Sequence, residues 1–428
     1  MTTLRVAVLG LGYVGIPLVG ACIKAGHSVL GFDTDDRVVA NLNGGLSHVD
    51  DVASVEISSW VSQGFIATSD ASTLTDIDVF IICVPTPLSD DGSPDLSAVR
   101  AASLTVAAQL DAARKPLVVL ESTTYPGTTE EIVKPILESR GAIAKADFCL
   151  AFSPERIDPG NKEWDFQNTP KIVGGLTESC TDRAVEFYLT VTTEVVRTKG
   201  LKEAEMAKLL ENTYRHVNIA LVNELAKISH LLDIDFWDVI AAAETKPYGF
   251  QAFRPGPGVG GHCIPIDPNY LGHRVRTELG QSVRFVELAQ EINASMPAYV
   301  VHRTEQLLRS DGKSLAGADI LLLGVTYKAN IGDQRESPAF GVARELRKAG
   351  AQVRFHDPLV ESWIVDEESV PKMHDLASAS AQATCSILLQ AHDCYREPTA
   401  LLGARLLLNT QGHIQLLSAG EGTNWMNL

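Results

Sequence analysis

The chain has 428 residues, 45% hydrophobic and 21% charged. Domains usually run to roughly 100–200 residues, so two or three domains with cores of their own are expected. Thirty-six basic against 53 acidic residues leave a net charge of −17, which repels nucleic-acid backbones and anionic membrane surfaces. Nucleic acid and membrane are therefore excluded as partners, and no apolar run approaches the roughly 20 residues that cross a bilayer. Seven cysteines, an odd number without a CxxC pair, indicate neither a disulfide framework nor a structural zinc site, so no metal is expected. Met1 leads directly into an apolar run and glycines without a basic leader segment, which points to the reducing cytoplasm.

Apolar, β-branched runs at 4–9, 29–32, 79–84, 117–120, 148–152 and 171–173 alternate with helical patterns. This predicts the buried strands of a parallel, doubly wound sheet. The first strand runs into Gly10-Leu11-Gly12-Tyr13-Val14-Gly15 and then a helix, the context of a dinucleotide fingerprint that brings a pyrophosphate to a helix N-terminus. By themselves the glycines also suit a plain tight turn. Asp33, ending the second strand, would accept from ribose hydroxyls and repel the additional phosphate of NADP, which favours NAD. Arg37 either lies over the adenine or is solvated. Thr86 in Val84-Pro85-Thr86-Pro87 and Thr123 in Ser122-Thr123-Thr124 put hydroxyls at the carboxyl edge of the sheet, where ligands of such folds bind. Ordinary turn chemistry explains them too. Ser153-Pro154-Glu155-Arg156 follows another buried strand, so Glu155 stands at the same edge as Thr123 or simply begins a helix.

From about 201 to 232 apolar residues recur at helical spacing without proline or glycine, which predicts one long helix connecting two domains. Lys208 and Asn212 fall on one of its faces; a snorkelling lysine and a surface amide are the plainer reading. The Pro/Gly-dense stretch 255–261 leads into His262-Cys263-Ile264-Pro265-Ile266-Asp267. Glycines beside a single cysteine strip the backbone of side chains and admit a bulky ligand. Cys263 is accordingly read as reactive and the other six cysteines as structural. Asp267 either orients a water or base, or caps the following segment. Strands at 319–324, 352–356, 386–390 and 405–408 then predict a second, smaller α/β domain. Lys328 and Arg335, after its first strand, suit a phosphate-bearing ligand, while an Arg335–Glu336 surface cluster is the default for the arginine.

In this order the motifs resemble the UDP-glucose/GDP-mannose dehydrogenase family, the nucleotide-sugar 6-dehydrogenases. The match runs from Gly10 to about Asp357 and more weakly to the end. Val38 stands where the family often has a basic residue, and Asn409 near a common aspartate. The resemblance implies two Rossmann-like doubly wound α/β domains joined by a long central helix. The divisions are 1–200 for NAD, 201–310 for dimerisation and the cysteine loop, and 311–428 for the UDP-sugar. It further implies a homodimer or higher homo-oligomer and the reduction of two NAD⁺ in succession as a sugar C6 alcohol becomes a carboxylate. Cys263 would trap the aldehyde as a thiohemiacetal and pass through a thioester. Lys208 and Asn212 would stabilise the oxyanion, and Asp267, Glu155 and Thr123 would hold and activate water. Glu155, Arg156, Lys208, Asn212, Arg254, Gly260 and Lys328 would contact the substrate, and Arg335 the cofactor. With His262, Ile264 and Ile266 in the cysteine loop, the chain looks like the subgroup acting on UDP-N-acetylhexosamines, UDP-N-acetylglucosamine first and UDP-N-acetylmannosamine second. The alternatives are oxidation of UDP-glucose or GDP-mannose, a two-electron β-hydroxyacid dehydrogenase that needs no Cys263, and an NAD-sensing protein without turnover.

Overall fold

The computed structural model describes residues 3–49, 51–89, 91–158, 161, 163–261, 264–396, 401, 403–412 and 424–428. His262 and Cys263 therefore lie outside the described residues. The chain divides into two compact units, Met1–Glu211 with Asn269–Gln281, and Asn212–Pro268 with Ser282–Leu428.

The first unit is built from β1 (Arg5–Leu9), α1 (Gly15–Lys24), β2 (Ser28–Phe32), α2 (Asp36–Asn43), α3 (Ser54–Ser62), β3 (Ile66–Thr68), β4 (Val79–Ile82), α4 (Ser97–Gln109), β5 (Leu117–Leu120), α5 (Lys134–Glu138), β6 (Cys149–Phe152), β7 (Lys171–Gly175), α6 (Glu178–Val191) and β8 (Val195–Arg197). Its sheet has the order β3-β2-β1-β4-β5-β6-β7-β8. The chain reverses direction across the sheet beside β1 and β4, so the carboxyl ends of these strands flank the crevice where such sheets take ligands. Val6, Val8, Ile81 and Val119 are fully buried in its core, as expected of strands covered on both faces.

One pairing departs from the uniformly parallel sheet expected from sequence: β6 and β7 are antiparallel. Among the described residues the connection at 153–170 contains no helix, and a parallel return needs a long crossover, usually helical. β4 also stops at Ile82 rather than 84, because Pro85 lacks an N–H and constrains the residue before it.

A helix of 31 residues, α7 (Leu201–Leu231), follows, then α8 (Phe236–Glu244), α9 (Asp267–Leu279), α10 (Arg284–Ala294) and α11 (Met296–Ser310). The second sheet comes from β9 (Asp319–Leu323), α12 (Pro338–Lys348), β10 (Gln352–His356), the small hairpin β11 (Ile364–Val365) and β12 (Glu368–Ser369), α13 (Leu376–Gln382), β13 (Cys385–Leu388), β14 (Leu406–Asn409) and β15 (Asn424–Asn427). Its order is β10-β9-β13-β14-β15, parallel throughout. Ile320, Leu322, Val342, Leu346, Phe355 and Trp363 fill its core. The polar strand β15, Asn-Trp-Met-Asn, has no apolar pattern to announce it. No described helix is long and apolar enough to cross a membrane.

Candidate functional site

The loop after β1 is shaped by what its glycines must avoid. A Cβ on Gly10 would meet the Cys83 carbonyl at 2.6 Å, and one on Gly15 the Gly10 carbonyl at 1.9 Å, whereas Gly12 faces open space. Two glycines thus close the turn and the middle one leaves room for a ligand. Val14, the residue before α1, supplies no side-chain cap, and the first turn of α1 carries no acid. The positive dipole end of the helix suits an anion. Asp33 accepts the Leu11 N–H on Oδ2 at 2.9 Å and the Asp35 N–H on Oδ1 at 3.0 Å. Each oxygen keeps capacity for a ribose hydroxyl. The residues present therefore fit a dinucleotide, with Tyr13 and Val14 forming the far side of the turn.

Arg37 is almost fully exposed and pairs with Asp35 at 2.9 Å. Thr86 is half-buried, and its carbonyl accepts the Tyr270 hydroxyl at 3.0 Å. Thr123 lies half-buried just beyond β5.

Behind the carboxyl ends of β5 and β6 is a buried charge cluster that sequence reasoning missed. Lys171 Nζ lies 3.0 Å from Glu121 Oε2 and 3.4 Å from Glu155 Oε2, and the Tyr188 hydroxyl donates to Glu121. The other Glu155 oxygen accepts the Arg156 and Ile157 N–H groups, both at 2.6 Å. The Glu155 carbonyl accepts Lys208 Nζ at 2.5 Å. The Glu155 side chain is thus engaged on both oxygens, so any part it plays as a base requires release of one of them. Arg156 pairs with Glu211 at 2.8 Å and donates to the Pro170 carbonyl at 2.6 Å. A second buried carboxylate on α7, Glu205, accepts the Gly127 N–H at 2.6 Å, the Thr129 N–H at 2.9 Å and the Thr129 hydroxyl at 2.6 Å. Burial pushes its pKa up to about 7 despite these donors. The signal for both was available: an acid or lysine at the end of a buried apolar run, or on the inner face of a helix, is out of place unless partnered.

In the second unit Asn212 donates its side-chain amide to the Asp267 carboxylate. Asp267 is buried and opens α9, so it serves both as partner and as a first-turn acid. The start of the glycine-rich stretch is fixed by Asn223, whose Oδ1 accepts the Gly256 N–H at 3.0 Å and whose amide donates to Asn293 at 2.9 Å. A Cβ on Gly260 would meet the Glu336 carbonyl, Pro338 and Tyr327 at 2.9 Å, and one on Gly261 the Tyr327 ring at 3.1 Å. These glycines are required for close passage along Tyr327 and Pro338. This internal packing is a second demand on them beside ligand approach, and only Gly256 of the four faces open space. Arg335 forms a two-pronged ion pair with Asp333, Nη2 to Oδ2 at 2.6 Å, rather than a cluster with Glu336. Arg254 pairs with Glu244 at 2.9 Å, and Lys328 sits half-buried beyond β9. Among the described residues no group of three or more His, Cys, Asp or Glu is placed to hold a metal ion.

Three family models match the chain: the NAD binding domain of the UDP-glucose/GDP-mannose dehydrogenase family over residues 4–192, its central domain over 202–295 and its UDP binding domain over 321–414. A UDP-N-acetyl-D-glucosamine 6-dehydrogenase of Pseudomonas aeruginosa is 37% identical over 372 residues, 86% of this chain and 85% of the relative. An NDP-N-acetyl-D-galactosaminuronic acid dehydrogenase of Ralstonia solanacearum is 32% identical over 419 residues, 95% of each chain. Among solved structures, a UDP-D-ManNAc dehydrogenase from Pyrococcus horikoshii superposes with a TM-score of 0.89 at 30% identity, covering 99% of this chain and 98% of that one.

Proposed function

The chain belongs to the UDP-glucose/GDP-mannose dehydrogenase family of NAD-dependent nucleotide-sugar dehydrogenases, and from that premise we propose that it oxidises the C6 alcohol of a UDP-N-acetylhexosamine to the carboxylate. UDP-N-acetylglucosamine is the first choice of substrate and UDP-N-acetylmannosamine the second. The observation that carries this reading is the bond from Asn212 to Asp267, because Asp267 follows Cys263 by four residues and ties the exit of the cysteine loop to α7.

NAD, when bound by Gly10, Gly12, Gly15 and Asp33, supplies the acceptor for one hydride at the alcohol level and one at the aldehyde level. Tyr13, Val14, Thr86, Thr123 and Arg335 are proposed as further cofactor contacts, with Arg37 peripheral. The Cys263 thiolate adds to the C6 aldehyde, and the covalent adduct keeps the intermediate in place until it stands at the thioester level. Lys208 and Asn212 donate to the oxygen that carries developing negative charge. Water then cleaves the thioester, held by Asp267 and Thr123, with Glu155 as the candidate base once one of its oxygens is freed. Arg156, Arg254, Gly260 and Lys328 are proposed to contact the sugar nucleotide.

We place the enzyme in a reducing cytoplasm, which keeps Cys263 a thiol, and as a homodimer through α7. Leu221, Leu225 and Ile228, spaced along one helical face, are 49%, 38% and 45% exposed, the apolar stripe that a second helix would cover. The test of function is NADH yield run to completion with UDP-N-acetylglucosamine, UDP-N-acetylmannosamine, UDP-N-acetylgalactosamine, UDP-glucose and GDP-mannose, with mass spectrometry of each product. Two NADH and a uronic acid from an N-acetylhexosamine are expected. One NADH or none from all five overturns the proposal.

A further inference from the structure

Lys171 opens the apolar strand β7 and is 4% exposed, and Glu121, directly after β5, is 2% exposed. The ammonium sits over the rings of Phe166 and Tyr188, at 5.0 and 5.4 Å from their centroids. Burial and the neighbouring Glu155 charge push the Glu121 pKa up, with Lys171 opposing them. Burial alone would lower the Lys171 pKa, but the two carboxylates outweigh it and hold the lysine charged. One cation thus serves two carboxylates. Buried ion pairs of this kind are a poor source of stability, since well-packed apolar residues of similar volume often do as well or better. What this cluster does secure is orientation. Lys171 is pinned by Glu121, Glu121 by Tyr188, and Lys171 in turn takes one oxygen of Glu155 while the Arg156 and Ile157 amides take the other. The carbonyl of that same residue receives Lys208 Nζ.

We infer that Lys171 is a positioning residue for the oxidation chemistry: with Glu121 and Tyr188 behind it, it fixes the Glu155 turn and so the carbonyl that aims the Lys208 ammonium. The inference rests on the reading of Lys208 and Glu155 as residues of the C6 reaction. It assigns to the back of the sheet a part in catalysis that involves no contact with substrate. Misplacement of a reacting group by about 1 Å costs on the order of 100-fold in rate, so a loosened Glu155 turn registers in kcat.

The test uses the full-length enzyme and three variants. Lys171→Met leaves Glu121 buried without a cation and is prone to misfolding. The double variant Lys171→Met with Glu121→Gln removes both charges at nearly constant volume, and Lys171→Arg keeps the cation. In the double variant NAD affinity and the KM for the sugar nucleotide are expected to stay within about 2-fold of wild type, while kcat falls about 10-fold to 100-fold. Lys171→Arg is expected to restore most of kcat. Wild-type kcat in a folded double variant overturns the inference. So does a parallel loss of kcat and NAD affinity in both the double variant and Lys171→Arg, which would assign the cluster to folding alone. A wild-type enzyme that oxidises no nucleotide sugar overturns the functional reading and this role together, whereas two NADH per sugar with unaffected variants overturns this role only.

Discussion

The two sheets of this chain begin with the same local grammar and use it to opposite ends. After β1, Gly10 at φ +94° passes against the Cys83 carbonyl, and after β9, Gly324 at φ +76° passes against the Gln390 carbonyl at 2.5 Å from an added Cβ. Asp33, after β2, accepts the Leu11 N–H at 2.9 Å, and Asp357, after β10, accepts the Val325 N–H at 2.8 Å. There the likeness stops. Asp33 is half-buried and bonded to backbone amides, whereas Asp357 is fully buried and pairs with His392 at 3.1 Å. Helix α1 has no side-chain cap, whereas α12 is capped by the Ser337 hydroxyl and has Pro338 in its first turn. The longer loop after β9 is held by its own neighbours: His392 accepts the Asn330 N–H at 2.8 Å, and the Gln390 amide donates to the Tyr327 carbonyl at 2.9 Å. One crevice has a helix start without a side-chain cap and an acid whose oxygens keep capacity for a ribose hydroxyl. The other satisfies them internally, and its loop becomes a fixed support for Tyr327, Lys328 and Arg335.

The sharpest way to break this comparison is to add a methyl group at matching positions. Gly10→Ala would drive a Cβ into the Cys83 carbonyl, with an overpacking cost of up to about 3 kcal/mol, or about 100-fold in NAD affinity. Gly324→Ala is expected to cost a similar amount in unfolding free energy while leaving NAD affinity within about 2-fold. Titration with NAD and urea unfolding of both variants check this, and an NAD defect in Gly324→Ala contradicts the division of labour.

Buried carboxylates of the two units respond to pH in opposite senses. Burial alone would raise the Asp357 pKa, but the His392 bond and charge and the Leu359 and Val325 amides outweigh it and hold the pKa down. Its contribution is present above the ordinary carboxylate range and lost as pH falls through the lowered value. Glu205, raised from 4.5 to about 7, binds its proton more tightly folded than unfolded. Its effect is therefore a loss of stability as pH rises from about 4.5 to 7, worth about 3 kcal/mol by linkage. Unfolding by urea at pH 5 and at pH 7.5 is expected to show Glu205→Gln with a smaller fall, or a steeper rise, in stability than wild type over this interval. Identical pH dependence in the two proteins would show that Glu205 does not titrate there.

The contrast also accounts for what could be read from sequence. The dinucleotide loop was legible because its function demands glycine at fixed spacing and an acid one strand later, and both lie within the first 33 residues. The helix spanning 201–231 was legible from its period. Lys171 and Glu121 were not, since each is a single charge at the end of an apolar run and acquires meaning only when β5, β6 and β7 bring the two beside Glu155. The antiparallel turn of β7 was hidden for a related reason: strand direction depends on the connection, and the stretch at 153–170 carries no periodic pattern. At Gly258, Gly260 and Gly261 the close passage was not legible, since the contacts that require it come from Tyr327, Glu336 and Pro338, far along the chain.

Smaller effects sharpen the assignment of the open crevice. Asp33→Ala is expected to weaken NAD about 10-fold and NADP less, because the lost carboxylate serves the ribose hydroxyls of one and repels the phosphate of the other. Equal losses in the two titrations would remove Asp33 from the ribose. Arg37→Ala, which breaks only an exposed ion pair, is expected to change NAD affinity by no more than about 3-fold, in line with the small worth of surface pairs. A larger change would place the guanidinium on the cofactor.

The central claim is a four-electron oxidation carried on one cysteine, and counting NADH in Cys263→Ser beside wild type tests it most directly. With the preferred UDP-N-acetylhexosamine, wild type is expected to yield two NADH per sugar and the serine variant to bind the sugar nucleotide almost normally yet fail to reach the carboxylate. Two NADH per sugar and a uronic acid from the serine variant would contradict the covalent route.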